Sequence, residues 1–234
     1  MKRLLCLLLA LCMVLPLTAC GGEQPESVQL FAMDTVMDLT AYGENAAAAL
    51  TDASREINRL ERLLSRTIDT SEISQINAGG AVTVSEETAS LLAQAQTYTV
   101  ATDGAFDITI APVSSLWDFK AETPSVPSPE AIAEAVSHVN YENIIIRDNT
   151  VKLADPQAGI DLGAIAKGYI ADRIKDYLEE EGVRHAMINL GGNVLCVGKR
   201  PDGAPFKIGL QRPYATHTET VAALKIYDMS VVSS

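Results

Sequence analysis

Leu50, Ala53, Ile57, Leu60 and Leu64 recur at three- and four-residue intervals in "AAAALTDASREINRLERLLSR", which places all five on one face of an α-helix. A helix with a single apolar stripe has to bury it against something else, and the flanking sequence supplies candidates. "VQLFAMDTVMDLTAYG" carries strand-forming residues on both sides of a bend at Met33-Asp34-Thr35. "SEETASLLAQAQTYTVATDG" reads as a second helix, with Ser85 as N-cap and Gly104 as its stop. "FDITIAP" reads as a strand ended by Pro112, and Ser128-Pro129 opens a third helix. "ENIIIRDNTVKL" is a hairpin turning at Asp148-Asn149.

In "IDLGAIAKGYIAD", Ile160 to Leu162 read as the end of a buried strand, Gly163 as a break, and Ala164 onward as a helix running toward Glu180. One side of that helix carries Ile165, Tyr169, Ile170, Ile174, Tyr177 and Leu178. "HAMINLGGNVLCVG" is a strand, a Gly191-Gly192 bend and another strand. Helices and hairpins mix without regular strand–helix–strand alternation, so the expected class is α+β, with mixed or antiparallel sheets and packed helices.

The chain has 234 residues, of which 47% are hydrophobic and 21% charged, enough apolar material for one sizeable core or two small ones. Its first stretch, "MKRLLCLLLALCMVLPLTACGG", has the basic start, uncharged apolar run and small-residue end of a secretory signal. The expected organisation is a signal peptide over residues 1–19, a tether over 20–27 and one domain over 28–234. "LTAC" resembles a lipoprotein cleavage box, which would make Cys20 the acylated first mature residue. Cys6 and Cys12 lie in the apolar run, so Cys196 is alone in the mature domain, and no internal disulfide is possible there. Flanked by Leu195 and Val197, it reads as a small buried hydrophobe. The net charge of −12 becomes about −14 once Lys2 and Arg3 leave with the signal. Such a surface repels nucleic acid, and membrane attachment would rest on acyl chains rather than on charge.

Several chemistries are excluded. Lys167-Gly168 is followed by Tyr169, so the triphosphate cradle G-x-x-x-x-G-K-[ST] is absent, as are a G-x-G-x-x-G helix start and a G-x-S-x-G elbow. His138, His185 and His217 are scattered and read as surface or cap residues. Polar residues at glycine-flanked bends remain: Asp34, Asp103, Asp107, Asp161, Lys167 and Asn189. Lys167 stands out because a cation in the first turn of a helix sits at the positive end of the macrodipole. Asp161 upstream would compensate in part, and a phosphate resting on the helix N-terminus would compensate more.

"FAMDTVMDLTAYG", "LLSRTIDTSEISQIN", "TDGAFDITIAPVSSLWDF", "IDLGAIAKGYIAD" and "INLGGNVLCVGKRPDG", in that order, resemble the successive motifs of the FAD:protein FMN transferases, the ApbE-like lipoproteins. The resemblance implies a Mg²⁺-dependent transferase outside the cytoplasmic membrane that splits FAD and moves FMN to a threonine of a membrane redox subunit, releasing AMP. It also implies flavin contacts at Met33, at Ala105, Phe106 and Asp107, and at Asp161 and Lys167, and a metal-binding carbonyl at Ala164. Thr67 stands where many members have a flavin-contacting tyrosine. Members continue past the point matching "DMSVVSS", so the resemblance implies a fold incomplete at the C-terminus. A lipid-anchored FAD-binding module, or an FAD pyrophosphatase without transferase activity, is the alternative function.

Overall fold

The structure is a computed structural model that describes residues 24–117, 121–123, 125–214 and 219–233. The expected signal peptide and Cys20 lie outside the described residues. β1 (Glu26–Ala32) and β2 (Thr35–Tyr42) form an antiparallel hairpin whose two-residue turn, Met33-Asp34, has positive φ at both positions. β2 pairs with β6 (His185–Asn189), β6 with β7 (Asn193–Gly198), and β7 with β10 (Ser230–Val232), giving an antiparallel five-stranded sheet in the order β1-β2-β6-β7-β10.

Side chains alternate across that sheet, so it has two apolar faces. Met37, Leu39, Ala41, Ile188, Leu195 and Val197 face α1 (Ala46–Leu64) and a later helix, α6 (Ala166–Glu180). All five residues of the α1 stripe are buried, and α6 adds Ile170, Ile174 and Leu178. On the opposite face, Val194 and Cys196 meet Phe206, Ile208 and Ile226 of a hairpin formed by β8 (Phe206–Gln211) and β9 (Thr220–Ile226). Burial pushes the Cys196 thiol up to about 11, which leaves it protonated and chemically quiet, as its apolar neighbours suggested.

A second lobe packs α2 (Glu72–Asn77) and α3 (Glu86–Ala101) against a three-stranded sheet ordered β3 (Val82–Thr83), β5 (Thr150–Leu153), β4 (Ile144–Arg147). The Asp148-Asn149 turn, the Ser85 cap and the Ser128-Pro129 start of α5 (Pro129–Ser137) all form as the sequence suggests. Ser85 Oγ accepts the Thr88 N–H at 3.2 Å and Ser128 Oγ accepts that of Ala131 at 3.2 Å. Leu64 at the end of α1 and Ala166 at the start of α6 both enter this second core. Arg59 ties the lobes from outside, donating to Glu56 and to both carboxylate oxygens of Glu87 at 2.7–2.8 Å.

Two expected strands are absent, the first at "FDITIAP" and the second at Ile160 to Leu162. Ile110 makes only an isolated parallel bridge to Gly159, and Pro112 lies inside a short helix, α4 (Ala111–Ser114), rather than ending a strand. Asp107 explains the first case: its Oδ1 accepts both the N–H and the hydroxyl of Thr109 at 2.8 and 2.7 Å, curling the chain into a turn. In the second, Asn77 stands in for a partner strand. Its amide gives a hydrogen bond to the Ile160 carbonyl at 2.9 Å and takes one from the Ile160 N–H at 2.7 Å. The last helix begins two residues later than expected, at Ala166, and α3 stops at Ala101, before Asp103 and Gly104 at positive φ.

Gly191, in the β6–β7 turn at φ +68, lies against the first hairpin: a Cβ there would stand 2.9 Å from the Thr35 Cβ and closer still to its branches. Gly203 has a similar φ of +80 with nothing within 4 Å. Gly203→Ala is therefore expected to cost only the left-handed backbone penalty, about 1–2 kcal/mol. Gly191→Ala adds overpacking of about 1–3 kcal/mol. Urea unfolding of the two variants checks this, and equal losses would contradict the contact.

Candidate functional site

The two lobes leave a cleft of about 250 Å³ where the end of α1 meets the start of α6. Met33 and Asp34 of the β1–β2 turn form one wall, Ser65 to Thr67 another, and Asp161 to Gly163 the floor. The Met33 N–H donates to Glu61 Oε1 at 2.6 Å, which fastens the hairpin tip to α1. A second cleft of about 390 Å³ is lined by Ala105, Phe106, Asp107 and Ala164, and Asp161 lines both.

Asp161 is the junction. Its Oδ2 accepts from Ser114 Oγ at 2.9 Å and pairs with Arg66 Nε at 3.0 Å, while Oδ1 accepts the Gly163 N–H at 2.9 Å. The Asp161 N–H donates to the Ile108 carbonyl at 2.8 Å. Three other points of the chain, Arg66, Ile108 and Ser114, are thus fixed on one residue. The partner of Asp161 is Arg66; Lys167 does not fill that role.

The sequence-derived candidates fall into three groups. Met33, Thr67 and Asp161 share the first cleft; Ala105, Phe106, Asp107, Ala164 and again Asp161 share the second. Lys167 lines neither, although its helix starts between them. The Asp107 carboxylate is largely occupied, since Oδ2 accepts the Tyr141 N–H at 2.9 Å while Oδ1 holds Thr109. Phe106 packs edge-on against Tyr98, ring centres 6.3 Å apart. Asn189 serves its own turn by accepting the Gly192 N–H at 3.0 Å, and Asp103 sits at the end of α3.

α6 starts without a side-chain cap. Ala166 and Tyr169 give their N–H groups to Leu162 and Ile165 carbonyls at 2.8 and 3.1 Å, whereas those of Lys167 and Gly168 meet no acceptor among the described residues. This open helix start is the electropositive feature that the position of Lys167 foreshadowed.

Sequence reasoning missed Arg66, Ser114, Ser115 and Glu61. Their signal was present but unread: "SRT" follows the amphipathic stripe directly, and a cation just past a helix end, beside a serine-rich turn, is well placed to reach across a cleft. His138 is the C-cap residue of α5, as expected, and its ring is tied to Asp155 Oδ2 at 2.7 Å. Among the described residues no three His, Cys, Asp or Glu side chains gather where they could hold a metal, and no helix is long and apolar enough to cross a membrane.

Comparison with known proteins places this geometry in a lineage. An FAD:protein FMN transferase of Klebsiella pneumoniae is 38% identical over 183 residues, covering 76% of this chain and 56% of that protein. One from Haemophilus influenzae is 29% identical over 251 residues, covering all of this chain and 72% of the relative. The chain thus spans little more than half of the first relative and under three quarters of the second. The crystal structure of the ApbE protein of Thermotoga maritima superposes with a TM-score of 0.80 at 29% identity, over 88% of this chain and 69% of that one. The ApbE family model matches residues 33–234, so the five ordered motifs, the α+β fold and the twin clefts share one explanation: the chain belongs to the ApbE family.

Proposed function

We propose that the protein works as an FAD:protein FMN transferase and that FAD lies across Asp161, reaching into both clefts. The observation that carries this reading is the convergence itself. Met33, Thr67, Ala105 to Asp107, Asp161 and Ala164 are dispersed over more than half the chain, yet they line two adjoining clefts that share one residue. The open start of α6, with Lys167 in its first turn, supplies the kind of N–H groups and positive potential that a diphosphate needs.

In the proposed reaction the hydroxyl oxygen of an acceptor threonine bonds to the FMN phosphorus. The bond from that phosphorus to the bridging oxygen breaks, AMP leaves with that oxygen, and the hydroxyl proton passes to solvent. The described residues contribute binding and orientation, the main source of catalysis in phosphoryl transfer. They do not form a magnesium site by themselves: Mg²⁺ takes about six oxygens, and beside the Ala164 carbonyl no cluster of acidic side chains is present among the described residues. No step is therefore assigned to the metal, and Mg²⁺ dependence is a quantity to measure. Incubation with FAD, Mg²⁺ and a threonine-bearing acceptor subunit is expected to release AMP and leave the acceptor covalently yellow. AMP without labelled acceptor would mean an FAD pyrophosphatase, and binding without AMP a flavin-binding module.

The setting of the reaction belongs to the same proposal. Cys20, the last residue of "LTAC", would carry acyl chains that hold the domain at the outer face of the cytoplasmic membrane, within reach of a membrane redox complex. Cys20→Ala is expected to move the protein from the membrane fraction to the soluble fraction. Unchanged fractionation would contradict the anchor.

A further inference from the structure

Arg66 is the one cationic side chain lining either cleft among the described residues. Its guanidinium has five N–H donors. Nε goes to Asp161 Oδ2 at 3.0 Å and one Nη1 hydrogen to Ser115 Oγ at 3.0 Å; the remaining donors meet no acceptor among the described residues. The side chain is one-third exposed, on the wall of the first cleft with Met33 and Thr67.

The group is also held in place before any ligand arrives. Ser65 organises the loop: its carbonyl accepts the hydroxyls of Ser71 and Ser74, and its own Oγ accepts the Thr67 N–H at 3.1 Å. Asp161, the guanidinium's anchor, is itself fixed by Ser114 and the Gly163 N–H. The nearby Glu61 carboxylate is already engaged by the Met33 N–H, so it does not need the arginine. A guanidinium anchored at Nε and at one Nη1 hydrogen keeps both Nη2 hydrogens and the other Nη1 hydrogen, so its planar donor set can still meet two phosphate oxygens at once, a geometry that an ammonium cannot reproduce.

We propose that Arg66 binds the diphosphate of the flavin nucleotide, so that the first cleft selects phosphorylated over unphosphorylated flavin. This rests on the flavin reading given above and adds a residue and a specificity to it. Within the Arg66–Asp161 pair, the carboxylate aims the guanidinium and lowers the cost of leaving a cation in the cleft when no ligand is bound.

Calorimetric titration of the parent, Arg66→Gln and Arg66→Lys with FAD and with riboflavin, which has no phosphate, tests this. At unchanged melting temperature, Arg66→Gln is expected to weaken FAD binding about 10- to 100-fold, the range for a charged hydrogen bond, and to leave riboflavin unaffected. Arg66→Lys is expected to fall between, because it keeps the charge and loses the fork. Equal losses for both ligands would overturn the proposal and make Arg66 a brace for the cleft wall; so would an FAD affinity that Arg66→Gln leaves intact. Those results would leave the flavin reading standing, whereas a parent protein that binds neither ligand would overturn both.

Discussion

The apolar stripe of α1 belongs to two cores at once. Leu50, Ala53, Ile57 and Leu60 lie against the five-stranded sheet, and Leu64, one turn further, lies in the core of the second lobe. One rigid rod therefore sets how the lobes stand to each other, and the cleft opens where it ends. α6 repeats the arrangement in the opposite sense, with Ala166 in the second core and Ile170 to Leu178 in the first. Burying each of these Leu or Ile side chains contributes about 1.5–3 kcal/mol before entropy is counted. A substitution in the stripe would thus loosen the site as well as the fold, although none of those leucines except Leu64 lines a cleft.

Where α1 ends and α6 begins, the chain places charge in a restricted space. Arg66 and Asp161 are 33% and 18% exposed, too screened for a loose surface pair and too wet for the full cost of burial. The serine hydroxyls around them supply the hydrogen bonds that such a pair needs. The outcome is a cleft in which Glu61 and Asp161 are engaged by protein donors while Arg66, held at Nε and Nη1, keeps its Nη2 donors without an acceptor among the described residues. The proposed diphosphate site rests on this arginine and on the uncapped start of α6, in a protein whose net charge is −12.

Period and turn chemistry made most of the fold legible. The α1 stripe, the Ser85 and Ser128 caps and the Asp148-Asn149 turn are local signals, each decided within a few residues, and each forms. The failures came where a side chain replaced a backbone partner. "FDITIAP" has strand composition, but Asp107 folds it on itself; Ile160 is extended, but its partner is the amide of Asn77, 83 residues away. No window on the sequence contains that information. The site divided in the same way. Asp161 was visible beside a glycine at a helix start, whereas its bond to Arg66 depends on two lobes meeting, and Lys167, the more conspicuous cation, lines neither cleft.

A crystal structure of the protein soaked with FAD tests most directly the central claim, that FAD lies across Asp161 between the lobes. Density is expected to run from the Met33 and Thr67 wall to Phe106, with phosphate oxygens within hydrogen-bonding distance of Arg66 and of the first-turn N–H groups of α6. Well-defined FAD bound elsewhere, with the Arg66 and Asp161 side chains untouched by it, would contradict the claim.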